Sequence, residues 1–237
     1  MTITDIDTTE STGANFALDG FMEVRARTRK AVHAIASKVK PAMAEDEAKE
    51  IARDVLSSLE MRRGWHHIIV RCGPNTIKDF KARSEPGVVL GDNDIFFIDI
   101  GPVYGDFEGD AGDTFVLGNN PDHLRAKADV RTIWETVREK WFSERPTGIE
   151  LYDFAIQTTE ELGWKLNMDL SGHRLSDYPH SVHYDGALAE VGFTPSPNLW
   201  VLEIAIAHPD GSFGAFYEDL LLEDQSFPEG TLPMGVF

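Results

Sequence analysis

An aspartate stands inside one of the most apolar runs of the chain, Ile95-Phe96-Phe97-Ile98-Asp99-Ile100, and this placement constrains the fold more than any other feature. So apolar and β-prone a run belongs inside a sheet, where an unpaired carboxylate is expensive to desolvate. A second β-prone run follows Tyr104-Gly105-Asp106-Phe107, and a Gly-Asp pair between two such runs signals a two-residue hairpin. With Gly105-Asp106 as the turn, Asp110 faces Gly101 and Asp99 faces Gly112. Both aspartates then lie on one face as diagonal neighbours, roughly 7–8 Å apart by backbone. Asp113 pairs with Ile98 and points to the other face. A cation or a hydrogen-bond network has to compensate Asp99 and Asp110, and a metal ion is the economical answer.

A second hairpin poses the same problem. Centring a turn on Asp210-Gly211 places Glu203, within the apolar run WVLEIAI, directly opposite Glu218. Like charges directly opposite destabilise a strand pair. A divalent cation converts the repulsion into coordination, whereas a register shifted by one residue would leave one glutamate in solvent. Between the hairpins, Gly172-His173 offers a nitrogen donor where glycine permits close backbone approach, with His180 seven residues on and His183 ten.

The remaining elements arrange themselves around these two hairpins. Helical periodicity runs from about Asp19 to Pro41 and again from Glu45 to Met61, with Arg62-Arg63-Gly64 as a basic last turn and glycine stop. A strand from His67 to Arg71 and a loop from Cys72 to Glu85 lead into the first hairpin. Asn120-Pro121-Asp122 opens a helix to about Ser143, and a second helix spans Ile149 to Leu162. Strands follow at Lys165–Leu170, Leu199–Ala207 and Gly214–Glu223. The order helix, helix, strand, hairpin thus occurs twice, over residues 20–118 and 120–223, which predicts an α+β domain of two equivalent halves sharing a sheet. Residues 1–16 are polar, Thr-rich and aperiodic, and are expected to be a disordered arm before a single domain at 17–237.

Composition narrows the function classes. A net charge of −18 and a pI near 4.7 argue against nucleic-acid binding, which needs a basic face. The single cysteine, Cys72, excludes an intrachain disulfide framework and Cys-rich zinc sites, and reads as structural. There is no secretory-type leader and no apolar run of ~18 residues, so a cytoplasmic protein with no membrane partner is expected.

The set Asp99, Asp110, His173, Glu203 and Glu218 resembles the five-ligand dinuclear site of the pita-bread metallopeptidases. That group comprises methionine aminopeptidase, Xaa-Pro aminopeptidase, prolidase and the metal-free relative creatinase. The resemblance rests on the eleven-residue spacing of the aspartates, on Gly-His with a second histidine seven on, and on the late glutamate pair. The stretch FIDIGPVYGDFEGDAGDTFVLG looks closest to the Xaa-Pro aminopeptidase version, and the likeness covers residues 20–223, the catalytic domain alone. It implies the pita-bread fold: two pseudo-symmetric halves, a curved antiparallel sheet and helices outside. It implies two divalent ions, Mn²⁺ first with Co²⁺, Fe²⁺ or Zn²⁺ as alternatives, that activate a bridging water. Asp110 and Glu218 would bridge, Asp99 would complete one ion, and His173 with Glu203 the other. Glu203 would shuttle the proton, and His180 would contact the substrate and stabilise the oxyanion.

The chain departs from that pattern in places. Where the aminopeptidases carry a substrate-binding histidine before the first aspartate, it has Phe80 and Lys81. Ser176 stands where a glycine is common, and Tyr178-Pro179 is unusual. Lys78, Lys81 and Arg83 could hold a carboxylate-bearing substrate. The leading expectation is removal of the N-terminal residue of short peptides. The alternatives are a small non-peptide amide or amino-acid derivative on the same metal site, and a non-catalytic binding module. The resemblance also raises a homodimer.

Overall fold

The computed structural model describes residues 6–223. After a short helix α1 (Ile6–Thr9), the first half comprises α2 (Leu18–Ala36), α3 (Glu45–Ser58), β1 (Arg63–Gly64), β2 (Ile69–Cys72), β3 (Ile95–Ile100), β4 (Pro102–Tyr104), β5 (Phe107–Glu108) and β6 (Ala111–Val116). The second comprises α4 (Pro121–Glu144), α5 (Gly148–Glu161), β7 (Lys165–Leu166), β8 (His173–Arg174), β9 (Trp200–Ala207) and β10 (Gly214–Leu220). The helix starts carry legible chemistry. Asn120 accepts the Asp122 N–H at 2.9 Å with Pro121 just inside α4, and Thr147 and Glu150 form a capping box at the start of α5.

All strand pairing is antiparallel. β3 is flanked by β2 and β6, β9 is flanked by β10 on one edge and by β7 and β8 on the other, and β4 joins β1 to β5. The two half-sheets abut along β6 and β10. There the Thr114 hydroxyl takes the Phe216 N–H and donates to the Phe216 carbonyl, both at 2.8 Å, in place of ladder bonds. Each half-sheet has a helical layer outside. Phe96, Ile98 and Ile100 of β3 face α2 and α3, while Leu202, Ile204 and Ile206 of β9 pack with residues of α4 and α5. The alternate residues Phe97 of β3 and Ala205 of β9, with Phe216 of β10, form a small cluster on the inner side, beside the carboxylates. This is why the hairpin strands read as apolar throughout: both faces are buried.

Five expectations change. The helix expected to run to Pro41 ends at Ala36, with Ser37 as its cap. The segment 62–65 is not a helix terminus. α3 stops at Ser58, and the Arg62 and Trp65 N–H groups bond the Val103 and Gly101 carbonyls, both at 2.9 Å, because the far half of the first hairpin has an open edge to pair. The strand from Lys165 is two residues long, and the Asn167 N–H goes to the Ala205 carbonyl at 2.8 Å. The last strand ends at Leu220 rather than Glu223. The expected disordered arm is docked over residues 8–16. The Glu10 carboxylate accepts the indole N–H of Trp200 at 2.7 Å and the N–H of Ser196 at 2.8 Å, and Arg174 donates to the Ser11 carbonyl at 2.9 Å. Polar composition hid these partners; residues 1–5, and 224–237 of the expected domain, lie outside the described residues. No helix among the described residues is long and apolar enough to cross a membrane.

α2 is fastened to β10 by charge. Asp219 takes Arg25 Nε at 2.6 Å and Arg29 at 3.0 Å, all three side chains being buried. Removing the carboxylate would strip the buried Arg25 guanidinium of the counter-charge that grips it at two nitrogens and take one partner from Arg29. Asp219→Ala is therefore expected to lower the free energy of unfolding by about 3–5 kcal/mol. An unchanged urea midpoint would refute that role.

Candidate metal centre

The first hairpin adopts the register its sequence demands: Asp99 opposes Gly112 and Ile98 opposes Asp113, while in the second Glu203 opposes Glu218. Asp113 is accordingly kept away from the other four carboxylates. Asp99 and Asp110 from one half and Glu203 and Glu218 from the other converge between the half-sheets, each no more than 8% exposed. They line a cavity of about 610 Å³ together with His173 and His180, with Phe80 and Lys81 also on its wall.

The backbone sets the second half of the cluster. Gly172 has φ +72°, and a Cβ there would come within 2.5 Å of the Val201 carbonyl, so only glycine lets β8 lie against β9. Its N–H then donates to Glu203 Oε2 at 2.8 Å. Next to it, His173 Nδ1–H donates to the Arg174 carbonyl at 2.7 Å, which turns Nε2 toward Asp110 Oδ2, 2.9 Å away.

Among the described residues two donor groups emerge, and Asp110 belongs to both. His66, Asp99 and Asp110 form one; Asp110, His173 and Glu218 form the other; within each, one ligand atom per residue lies within 4.8 Å of its fellows. Glu218 Oε1 is buried with no hydrogen-bond partner. A buried acceptor left in this state costs stability unless a cation meets it. Carboxylates with imidazoles suit borderline-hard divalent ions, so the residues fit a pair of metal ions.

The electrostatics of the metal-free site say the same. Burial, reinforced by Asp110 and Glu203, pushes the Asp99 carboxyl up to about 7 against the pull of His66 and His173. Burial raises Glu203, with Asp110 adding to it, and raises Glu218 well above the usual range, with Asp110, Asp99 and Glu203 all contributing. Burial would raise Asp110 too, but His173 and His66 hold it below the usual range. Burial disfavours the charged imidazoles, yet the carboxylates win: Asp99 and Asp110 lift His66 to about 9, and Asp110 and Glu203 lift His173 to about 10. Protons do the work that cations would do.

His180 is buried rather than solvent-facing, with Nδ1 at 2.6 Å from Glu108 Oε2 and its ring stacked on His173 at a centroid distance of 5.7 Å. His183 does not line the cavity, nor does Lys78, which pairs with Glu85 at 3.4 Å. Arg83 opens onto a separate cavity of about 450 Å³ behind the loop, so of the three cations only Lys81 lines the cavity of the carboxylates. Cys72 is buried in the first-half core, and burial drives its thiol up to about 12, which makes it structural. Sequence reasoning missed His66 and its neighbour Trp65. The available signal was Gly101, on the face of Asp99 two residues along, whose missing side chain implies that something large packs there.

A model of metallopeptidase family M24 matches residues 19–223. The fold superposes on methionine aminopeptidase from Thermotoga maritima with TM-score 0.71 at 15% identity, over 91% of this chain and 96% of that one. Prolidase from Pyrococcus furiosus gives 0.73 at 18% identity, over 90% of this chain and 62% of that one. X-Pro aminopeptidase from Thermotoga maritima gives 0.69 at 18% identity, over 94% and 64%. The chain thus spans under two thirds of the prolidase and the X-Pro aminopeptidase. Comparison with curated proteins finds no match.

The pKa shifts fix the sign of a pH effect. A raised histidine contributes stability fully below its ordinary value and loses it as pH rises through its folded value; a raised carboxyl behaves in the same sense. Metal-free protein is therefore expected to lose stability as pH climbs from about 6.5 through about 9 and 10, the folded values of His66 and His173, while the loss due to Asp99 falls at lower pH and is complete by about 7. Thermal unfolding of chelator-treated protein across that range checks this, with saturating Mn²⁺ expected to flatten the fall. A melting temperature that rises with pH in the metal-free protein would contradict it.

Proposed function

The chain belongs to metallopeptidase family M24, a hydrolase family, and from that premise we propose that it is a dinuclear-metal aminopeptidase of the Xaa-Pro type. The observation that carries the reading is the membership of Asp110 in both donor groups, since a shared carboxylate is what holds two ions side by side. The proposed ligands are Asp99, Asp110, His173, Glu203 and Glu218, with Mn²⁺ as the first candidate. Bound there, the two cations supply Lewis acidity at the substrate carbonyl and a water of lowered pKa.

The protein's own residues do the rest. Gly172 N–H fixes Glu203 Oε2 and so orients the carboxylate that would take a proton from the attacking water and hand it to the departing amine. Glu108 holds His180 Nδ1, which leaves Nε2 to meet the substrate carbonyl oxygen as negative charge develops. Asp79, Asp169 and Asp185 on the cavity wall, outside the carboxylate cluster, favour a substrate carrying a free amino group. Phe80 and Lys81, standing where aminopeptidases resembling this chain carry a histidine, favour a second reading: a small amide or amino-acid derivative hydrolysed by the same site.

A panel of Xaa-Pro and Met-Xaa peptides and small amides, assayed with Mn²⁺, Co²⁺ and Fe²⁺, discriminates the two. Release of the N-terminal residue, abolished by a chelator, is expected. Glu203→Gln is expected to lower kcat by about 10²–10⁴. Cleavage of the small amides alone would overturn the peptidase assignment in favour of the second reading.

A further inference from the structure

His66 lies outside the five-residue set, yet it is placed as a ligand is placed. Its Nε2 is 3.5 Å from Asp99 Oδ1 and 3.4 Å from Asp110 Oδ1, and its side chain is 7% exposed. Its Nδ1 is 2.8 Å from the His67 carbonyl, which can only accept, so Nδ1 bears the proton. In the neutral ring that leaves a lone pair on Nε2, aimed at the carboxylates. His173 does the same from the opposite side, with Nδ1–H on the carbonyl of the next residue and Nε2 on Asp110 Oδ2. The two imidazoles therefore flank the shared carboxylate, one to each oxygen. A histidine whose second nitrogen is tied to a backbone carbonyl is the usual arrangement of a metal-binding imidazole.

The surrounding chain is shaped for that ring. A Cβ on Gly101 would fall 2.0 Å from His66 Cδ2, 2.2 Å from its Nε2 and 2.6 Å from Trp65 Nε1, so the absence of a side chain at 101 is what admits the imidazole. Trp65 packs edge-on against His66 at 4.4 Å and is itself fixed by donating to the Gly109 carbonyl at 2.9 Å. Phe80 closes the far side at 5.8 Å.

We propose that His66 is a sixth protein ligand of the dinuclear centre, binding the ion held by Asp99 and Asp110. The inference rests on the metal-site reading above and deepens it: each ion receives one imidazole, where the five-ligand set gives a nitrogen to only one. An added nitrogen strengthens binding of Co²⁺, Fe²⁺ and Zn²⁺ more than that of Mn²⁺, whose preference is for oxygen donors.

Metal binding itself is the test. Chelator-treated wild type, His66→Ala and His66→Gln are titrated with Co²⁺, followed by visible absorption, and with Mn²⁺ by calorimetry. Circular dichroism and melting temperature verify folding. The glutamine variant retains packing against Trp65 if the alanine variant does not fold. The expected result is two ions in wild type and a second ion bound at least tenfold more weakly in the variants, with a larger loss for Co²⁺ than for Mn²⁺. Free imidazole is expected to restore part of the lost affinity in His66→Ala. Two ions bound by folded variants with unchanged affinity would overturn the sixth ligand and leave the five-residue centre standing. Fewer than two ions in wild type would overturn both readings.

Discussion

Four carboxylates buried face to face are the constraint on which the rest of this molecule depends. Each comes from a strand pair or its immediate flank, two from each half, and their mutual repulsion opposes the packing of the half-sheets against each other. In the metal-free protein two histidines and several retained protons offset that repulsion. Cations do so with less reliance on pH. The same four groups thus bear on how tightly the halves close, and a cation bound among them would stabilise the closed arrangement.

The structure behind the carboxylates holds them in place without touching any substrate. On β9, the gap between β7 and β8 leaves backbone groups near Glu203 without strand partners. Tyr152 fills it, its hydroxyl donating to the Glu203 carbonyl at 2.9 Å and accepting the Glu203 N–H at 3.2 Å. The neighbouring Leu202 carbonyl is taken by the Trp134 indole at 2.8 Å. Tyr152 of α5 therefore completes the sheet edge at Glu203, and Trp134 of α4 braces the residue before it. On β10, Asp219 anchors the opposite face to α2, which fixes the orientation of Glu218 one residue before it.

Much of this was legible in the sequence, for a physical reason. Charge in an apolar strand and turn dipeptides are local signals, and they gave Asp99, Asp110, Glu203 and Glu218 in the right register, because a hairpin's pairing follows from its turn. His66 was not legible because it reaches the site from a segment with no periodic signal, anchored by long-range bonds to the first hairpin at Val103, Gly101 and Gly109. The docking of residues 8–16 escaped notice for the same reason. Glu10 is an unremarkable acidic residue until the indole of Trp200, some 190 positions away, is beside it. Long-range partners of single polar residues leave no pattern to read.

The loop that carries Phe80 and Lys81 shows how the site is closed on the substrate side. Arg71 holds it from beneath, donating to the carbonyls of Asp79, at 3.2 Å, and Ala82 and to the Ser84 hydroxyl. The buried Glu45 at the start of α3 takes the Asn75 amide and the Cys72 N–H, both at 2.9 Å, together with the Ser84 hydroxyl. Two charged residues, Glu45 at the start of α3 and Arg71 on β2, thus tie down both ends of this loop, which presents Phe80 and Lys81 as a wall of the cavity. Any group that enters the cavity meets Phe80 and Lys81 on one side and the four carboxylates on the other.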